Sequence, residues 1–178
     1  MPTKRSISPR TLSLLAIPFL LVGLAFFVMG IVASVVDWSR MQDWHPLEAQ
    51  LLSAGLEQRG SRTRTWLATA RYRYQFGGKT YIGQRVAINE SADNIGDFQQ
   101  TLGFRLRGAM RAGQSVQIWV NPQNPAEAVI DRSLRGSLMA YFSLFVVLFG
   151  GVGAGILIFA RRTARARSAV AGGPDASA

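Results

Sequence analysis

The chain has 178 residues, of which 48% are hydrophobic, and its 20 basic and 10 acidic side chains give a formal net charge of +10. It has no cysteine, which excludes a disulfide framework, thiol catalysis and zinc–thiolate sites. The charge is not concentrated in a nucleic-acid-binding surface, because an excess of three positive charges lies in each of the two tails, residues 1–10 and 161–178. We therefore predict no nucleic-acid partner.

A run of 26 residues without a charge, residues 11–36, follows the short basic tail of residues 1–10. A helix of ~20 apolar residues crosses the hydrocarbon core of a bilayer, so the run predicts a first transmembrane helix. Two alternatives stay open. A buried core helix has a similar composition, and a cleaved signal peptide has a similar basic start, although its apolar region is only ~7–15 residues long.

The next segments predict β-structure. Residues 46–59 have a helix-forming composition, but their apolar positions alternate, which favours a strand. Gly77 and Gly78 predict a hairpin turn into a return strand at residues 80–88, where Gly83 indicates a bulge or a close approach. Before the turn, apolar and polar residues alternate over residues 64–76, and this stretch is rich in aromatic side chains. They predict a strand whose buried face consists of Trp66, Ala68, Ala70, Tyr72, Tyr74 and Phe76.

One helix and two short strands complete the middle of the chain. Apolar residues recur every four positions between residues 98 and 110, which predicts an amphipathic helix over about 95–111. Asp93 or Asn94 is the expected cap at its start, and Gly113 is expected to end it. The remaining predictions are a strand at 115–120, a turn with two prolines at 121–125 and a strand at 128–131.

A second uncharged run predicts a transmembrane helix at residues 137–160, followed by a disordered, Arg-rich tail at residues 161–178. Within this span, Gly151 and Gly155 lie four residues apart on one helix face. Small residues at this spacing let two helices approach closely, so we predict that they pack either the two spans of one chain or the spans of two copies. Gly23, Gly30 and Ala33 are the expected facing positions on the first span.

Charge asymmetry predicts the orientation of the two spans. The tails hold seven basic residues, whereas the opposite ends of the spans are flanked only by Arg40, Arg132 and Arg135. Because basic residues next to a span are retained in the cytoplasm, both termini are predicted to be cytoplasmic and residues 37–136 to form an extracytoplasmic β-rich module.

Two motifs carry a family resemblance. The first is the hairpin Tyr72-Arg-Tyr-Gln-Phe-Gly-Gly-Lys-Thr-Tyr-Ile-Gly83, and the second is the strand–turn–strand Gly113-Gln-Ser-Val-Gln-Ile-Trp-Val-Asn-Pro-Gln-Asn-Pro-Ala-Glu-Ala-Val-Ile-Asp131. In this order, between two spans, they resemble the bacterial membrane family called domain of unknown function 3592. Trp119 stands where the family often has tyrosine, and the insert between the motifs is long. The resemblance implies a location in the bacterial inner membrane, but no activity, cofactor or catalytic residue.

The predicted fold class is therefore a membrane protein of the α+β type. Two transmembrane helices flank a small antiparallel β-sandwich or barrel-like module with one helix. The sequence offers no metal or cofactor site and no catalytic residues, since one histidine with scattered carboxylates is too few ligands. His45 is expected at the surface or the membrane interface. Asp93 and Asp97 are interpreted as capping residues, with an acid pair as the alternative.

Several surfaces of the module are candidates for binding. The basic residues Arg71, Arg73 and Arg85, accompanied by Arg62 and Arg64, are the predicted partner-binding residues, with a solvated strand face as the alternative. The aromatic stripe of the second strand is either a binding platform or core, and core is favoured. Likewise, the two-proline turn is either a ligand loop or a rigid corner, and a corner is favoured.

These features predict a non-enzymatic interaction module on a membrane anchor, serving envelope assembly, sensing or protection against a toxin. Its expected partners are the lipid bilayer and either another envelope protein or a second copy of the chain. A small membrane hydrolase, or its accessory subunit, is the first alternative. A binder of cytoplasmic anionic partners, acting through the Arg-rich tail, is the second.

Overall fold

The structure, a computed structural model, describes residues 8–171, and within this range the side chains of residues 11–166 and Ser8. Residues 1–7 and 172–178, which belong to the predicted tails, lie outside the described residues. Val32–Ala140 form one compact unit, and the helical segments before and after them form another. Each unit is considered by itself.

Helices and strands follow one another along the chain in the following order. They are α1 (Pro9–Ala25), a π-helical segment (Phe26–Val32), α2 (Ala33–Arg40), β1 (His45–Arg59), β2 (Thr65–Phe76), β3 (Lys79–Gly83), α3 (Phe98–Arg111), β4 (Val116–Val120), β5 (Ala128–Val129), α4 (Gly136–Phe145), a second π-helical segment (Val146–Gly150) and α5 (Gly151–Ala171).

Two long helices are apolar enough to cross a membrane. One covers Thr11–Arg40 and the other Gly136–Ala166, and an 18-residue window within each has a mean hydropathy of 2.7 and 2.4, respectively. The first is capped by Ser8, whose hydroxyl accepts a hydrogen bond from the Thr11 amide at 3.2 Å. Both predicted spans are therefore helical, and both helices extend beyond the predicted limits.

Small residues at intervals of seven line the contact between the two helices. Ala16, Gly23 and Gly30 are buried on the first helix, and Gly153 and Ala160 are buried on the second. A seven-residue repeat keeps one face of a helix against its neighbour over several turns. Gly23 and Gly30 are thus confirmed as facing positions of the first helix, whereas Ala33 is exposed. On the second helix the buried small residues are seven positions apart, and the predicted pair was four apart.

The environment of each glycine confirms this face. A side chain at Gly23 would meet the backbone of Gly150, and one at Gly153 would meet Leu20. At Gly151 and Gly155, by contrast, an added Cβ would find open space. The prediction that Gly151 and Gly155 pack the two spans of one chain is therefore wrong. Their alternative role between two copies stays a prediction.

The central unit contains one antiparallel sheet of five strands in the order β3-β2-β1-β4-β5, and this sheet is not closed. Helix α3 covers one of its faces, where Leu102 and Leu106 pack into a core with Ala70, Tyr72 and Ile118. The α+β class is confirmed, but the predicted sandwich or barrel is wrong. Because α3 supplies the second layer, the sheet needs no second sheet to bury its apolar face.

The strand predictions hold at β1, β2 and the hairpin. Gly77 and Gly78 form a two-residue turn with φ of 55° and 74°, as a type I′ hairpin requires. Strand β3 ends at Gly83 instead of residue 88, and β5 ends at Val129 instead of residue 131. The chain beyond β3 bends toward the residues after β5, where the Ile130 amide donates to the Arg85 carbonyl at 3.3 Å.

The start of α3 and the end of α5 differ from expectation. Helix α3 begins at Phe98, and Asp97 precedes it without a side-chain capping hydrogen bond. Helix α5 continues to Ala171, so residues 161–171 are helical where the sequence predicted disorder. Alanine and arginine favour helix strongly, which explains the extension.

Candidate functional site

The predicted basic face divides into exposed and internally paired residues. Arg71 and Arg73 are exposed on the face of β2 opposite α3, beside Ser53 and Gln50 of β1 in the antiparallel register. Arg62 and Arg64 are exposed in the loop before β2. The sheet thus brings Arg71 and Arg73 together on an open surface, where partner binding stays a prediction.

Arg85 does not belong to that surface. Its Nη2 lies 2.8 Å from the Asp37 carboxylate of α2 and donates to the Ile88 carbonyl at 2.9 Å. Nearby, the Asn89 amide donates to the Ser34 hydroxyl of the same helix at 3.2 Å. These contacts fix the segment after β3 to α2. The predicted grouping of Arg85 with Arg71 and Arg73 is therefore corrected to a structural role.

A buried ion pair joins the loop before α3 to the start of α4. Arg135 donates to both carboxylate oxygens of Asp93, at 2.6 and 2.8 Å, and its side chain is only 3% exposed. The Arg135 guanidinium also lies 4.4 Å above the centre of the Phe98 ring. Its Nε is buried without a hydrogen-bond partner among the described residues.

The environment of Asp93 favours its charged form. Burial alone would raise the pKa of Asp93, but hydrogen bonds from Arg135, Gln99 and the Ile95 amide outweigh burial and hold the pKa below its usual value. Gln99 in turn accepts the Ala68 amide of β2 at 3.0 Å. Asp93 is thus the centre of a structural network, and neither predicted role, helix cap or acid pair with Asp97, describes it.

The two-proline turn is a hydrogen-bonded corner. The Glu127 carboxylate accepts hydrogen bonds from the side-chain amides of Asn121 and Asn124, at 3.0 and 2.9 Å. These bonds lower the pKa of Glu127. The Tyr74 hydroxyl donates to the Pro125 carbonyl at 2.8 Å, which ties the corner to β2. The favoured interpretation as a rigid corner fits these contacts.

The aromatic stripe of β2 lies in the core. Tyr72 and Tyr74 are buried, and the ring centres of Tyr74 and Tyr81 lie 5.7 Å apart. The Tyr72 hydroxyl is 2.9 Å from the carbonyls of both Arg85 and Ala128, which share its single proton. Burial raises the pKa of the Tyr72 phenol. The favoured interpretation as core is confirmed for Tyr72 and Tyr74, and Phe76 and Tyr81 pack against that core, whereas Trp66 is partly buried outside it.

A cleft of about 620 Å³ lies between α3, β4 and the segment that follows β5. Its wall includes Trp119, and the Arg132 guanidinium lies over the Trp119 ring at 3.4 Å from the ring centre. Arg132 also donates to the carbonyls of Met41 and Gln42, just beyond the end of α2. This cleft was not predicted from the sequence. The one local signal was Trp119, which stands where the resembling family often has tyrosine.

Titratable residues offer little support for metal chemistry. Within the described part of the chain, no group of three or more His, Asp or Glu residues could hold a metal ion. His45 is exposed at the start of β1, with its ring 6.4 Å from that of Phe76. It lies at the surface of the module, as predicted.

The family of the chain follows from the comparison with known proteins. The model of the family described as "Domain of unknown function (DUF3592)" matches residues 32–135, more than half of the 178 residues. The chain belongs to the DUF3592 family. The matched region begins at α2 and ends at Arg135, so it contains Asp37, Arg85 and the Asp93–Arg135 pair. No curated protein matches this sequence.

Proposed function

We propose that this DUF3592 protein is anchored in the bacterial inner membrane by its two long helices and presents residues 37–136 outside the cytoplasm as a non-enzymatic interaction module. The observation that carries the proposal is the exposed apolar surface of both helices. Met29 is 76% exposed and Val147 is 71% exposed. Apolar surface this extensive is costly in water, and a bilayer covers it.

Three arginines of the module bind groups near its two ends. Arg85 binds Asp37 of α2, and Arg132 binds the carbonyls of Met41 and Gln42 at the end of the same helix. Arg135, which directly precedes α4, binds Asp93. Three arginines therefore connect the module to the helix end that enters it and to the one that leaves it.

An interaction role is favoured by how the polar groups are used. Asp93, Gln99 and Tyr72 are engaged in internal hydrogen bonds, which suit a structural task better than proton transfer. Arg71 and Arg73 instead project from an open sheet face, beside the 46% exposed Ile82. A mixed basic and apolar face of this kind fits another envelope protein or a second copy of the chain.

Orientation is tested with reporters that are active only outside the cytoplasm. A reporter fused at residue 90 should be active and one fused at residue 170 inactive, because the basic residues that follow the second span favour the cytoplasm. The opposite pattern would overturn the proposed orientation. Retention of the protein in the membrane fraction after an alkaline carbonate wash tests the anchoring separately, and its release would contradict the proposal.

The interaction face is tested in intact cells with a photo-reactive residue in place of Arg73 or, as a control, Arg111. Both arginines are exposed, but Arg111 ends α3, which covers the other face of the sheet. We expect a cross-linked product from position 73 and little from position 111. Its mass distinguishes a second copy from a different protein. Equal yields from the two positions would count against a binding role for the open sheet face.

A further inference from the structure

The cleft beside Trp119 has the size and walls of a small-molecule site. Its volume of about 620 Å³ falls within the ~300–1,000 Å³ typical of such sites. Leu106 and Ile130 form an apolar floor, and both are buried. Polar side chains from three separate segments surround this floor. The cleft is therefore amphipathic, with space above an apolar base and hydrogen-bonding groups at its rim.

The charged groups at the rim favour an anion. Arg105 and Arg132 line the cleft, against Asp131 as the one carboxylate. Asp131 Oδ1 accepts hydrogen bonds from the Ser133 amide and hydroxyl at 2.9 and 2.6 Å. The distance from Asp131 Oδ2 to the Arg105 Nη2 is 3.8 Å, and the Arg105 side chain is 61% exposed. A ligand phosphate can therefore compete with Asp131 for Arg105.

Arg132 is already held in place before any ligand arrives. Its guanidinium is stacked on Trp119, and Nη1 is fixed by the carbonyls of Met41 and Gln42. No hydrogen bond joins its Nη2 or Nε to the residues that the structure describes. A planar guanidinium in a fixed position, with unused donors, recognises phosphate oxygens at a low cost in side-chain entropy.

The position of the cleft along the chain indicates where its ligand comes from. Trp38 lines it from the last turn of α2, and Gln42 lines it two residues beyond that helix. Trp38 is 36% exposed. Tryptophans at the end of a spanning helix prefer the level of the lipid headgroups. Under the proposed anchoring, a cleft that includes this indole is expected near the depth of the phospholipid phosphates.

We propose that this cleft binds the phosphate of an anionic phospholipid headgroup, with Arg132 and Arg105 as the phosphate ligands and Leu106 and Ile130 beneath the glycerol. This inference rests on the proposed membrane anchoring. The rim groups Arg132 and Arg105 would contact the phosphate oxygens, while Trp38 would lie beside the headgroup at the membrane interface.

Native mass spectrometry of the full chain in detergent tests the proposal, with short-chain phosphatidylglycerol, short-chain phosphatidylcholine and inorganic phosphate as probes. We expect phosphatidylglycerol to bind more tightly than either of the others. Arg105→Gln should weaken its binding about tenfold, the effect of losing one hydrogen bond to a charged group. Arg111→Gln, which removes an exposed charge from the same helix outside the cleft, should leave binding unchanged.

Three outcomes would overturn the proposal. The first is equal affinity for phosphatidylglycerol and phosphatidylcholine, and the second is an equal loss in Arg105→Gln and Arg111→Gln. The third is binding of inorganic phosphate as tight as that of phosphatidylglycerol, which would replace the lipid with a free anion. With any of these outcomes, the proposed anchoring still holds if the protein stays in carbonate-washed membranes. Release by that wash is instead a failure of the proposed function.

Discussion

Gly83 faces the ring of Tyr72 across the β2–β3 pair, and an added Cβ there would collide with that ring. Gly108 provides a contrast, since it lies in α3 with nothing within 4 Å of an added Cβ. The two positions therefore differ in the space around them, although both residues are glycines within regular secondary structure. One glycine is required by close packing, and the other is not.

We expect Gly83→Ala to lower the free energy of unfolding by about 1–3 kcal/mol, the usual cost of overpacking a core. Gly108→Ala should raise it by up to about 1 kcal/mol, because alanine is the better helix former and the site has room. Chemical denaturation of the detergent-solubilised protein measures both. A loss of stability in Gly108→Ala, or none in Gly83→Ala, would show that the packing around the glycine does not decide the effect.

The Asp93–Arg135 pair predicts how the stability of the module depends on pH. Because the folded pKa of Asp93 is lower than its unfolded value, the contribution of the pair is present above the unfolded pKa of about 4 and is lost as the pH falls through the folded pKa. We expect stability to vary little with pH between about 5 and 8 through this group, and to fall in stronger acid.

Asp93→Asn should lower stability at pH 7 by about 3–5 kcal/mol, since it leaves the 3% exposed Arg135 side chain without its counter-charge. The variant should also lose part of the acid dependence. Asp97→Asn serves as the control, because Asp97 is exposed and makes no side-chain capping bond. Thermal unfolding at a series of pH values distinguishes the two, and parallel behaviour of the variants would contradict the assignment.

At the scale of the element, local patterns predicted what local interactions determine. Alternation identified β1 and β2, and the pair Gly77-Gly78 identified the hairpin, because each pattern acts on neighbouring residues. The predicted sandwich failed because the partner layer of a sheet depends on distant contacts. The role of Asp93 was missed for the same reason, since Arg135 lies 42 positions away and no periodicity relates the two residues.

The two long helices illustrate a choice between two patterns present in one sequence. Gly151 and Gly155 offer a four-residue spacing, but the buried positions follow a spacing of seven through Ala16, Gly23 and Gly30. Both patterns are visible in the sequence. Only the structure of the partner helix determines which face is used, and the aromatic side chains contribute to that outcome. The Phe26 and Phe145 rings, for example, stack with centres 4.7 Å apart.

We expect Gly153→Leu to destabilise the helix pair by about 1–3 kcal/mol, because the larger side chain would displace Leu20. Gly151→Leu is the matched control, with open space at the same depth. Cross-linking between Phe26→Cys and Phe145→Cys, in a chain that has no other cysteine, reports on the pairing. Equal losses in the two variants would contradict the assigned face. A loss of cross-links between copies in Gly151→Leu alone would assign its open face to self-association.

At the scale of the whole molecule, the arginines divide according to their surroundings. Arg85, Arg132 and Arg135 bind other groups of the module, whereas Arg161 and Arg162 are exposed on α5 beyond the second apolar run. Net charge alone does not distinguish these groups. Under the proposed orientation, only the second group retains a chain end in the cytoplasm, because charges next to a span set its direction.

Replacing Arg161, Arg162 and Arg165 together by glutamine should therefore give partial activity to an extracytoplasmic reporter at residue 170. The control replaces Arg105, Arg107 and Arg111 of α3 by glutamine, which removes the same charge from the long segment between the spans. Such segments contribute little to orientation, so the control should keep the reporter inactive. Similar reporter activity in the two triple variants would show that total charge, and not its position, sets the orientation.

The hydrogen bonds from Arg132 to Met41 and Gln42 have a consequence for biosynthesis. They join residues about 90 positions apart, so the carbonyls of Met41 and Gln42 lack these hydrogen bonds until Arg132 has been made. At ~5–20 residues per second, the ribosome needs roughly 5–20 s to add that stretch. During this interval β1, β2 and β3 are synthesised first, and the strands that complete the sheet, β4 and β5, follow only near its end. Native folding is therefore a late event, which coincides with the emergence of the second apolar helix.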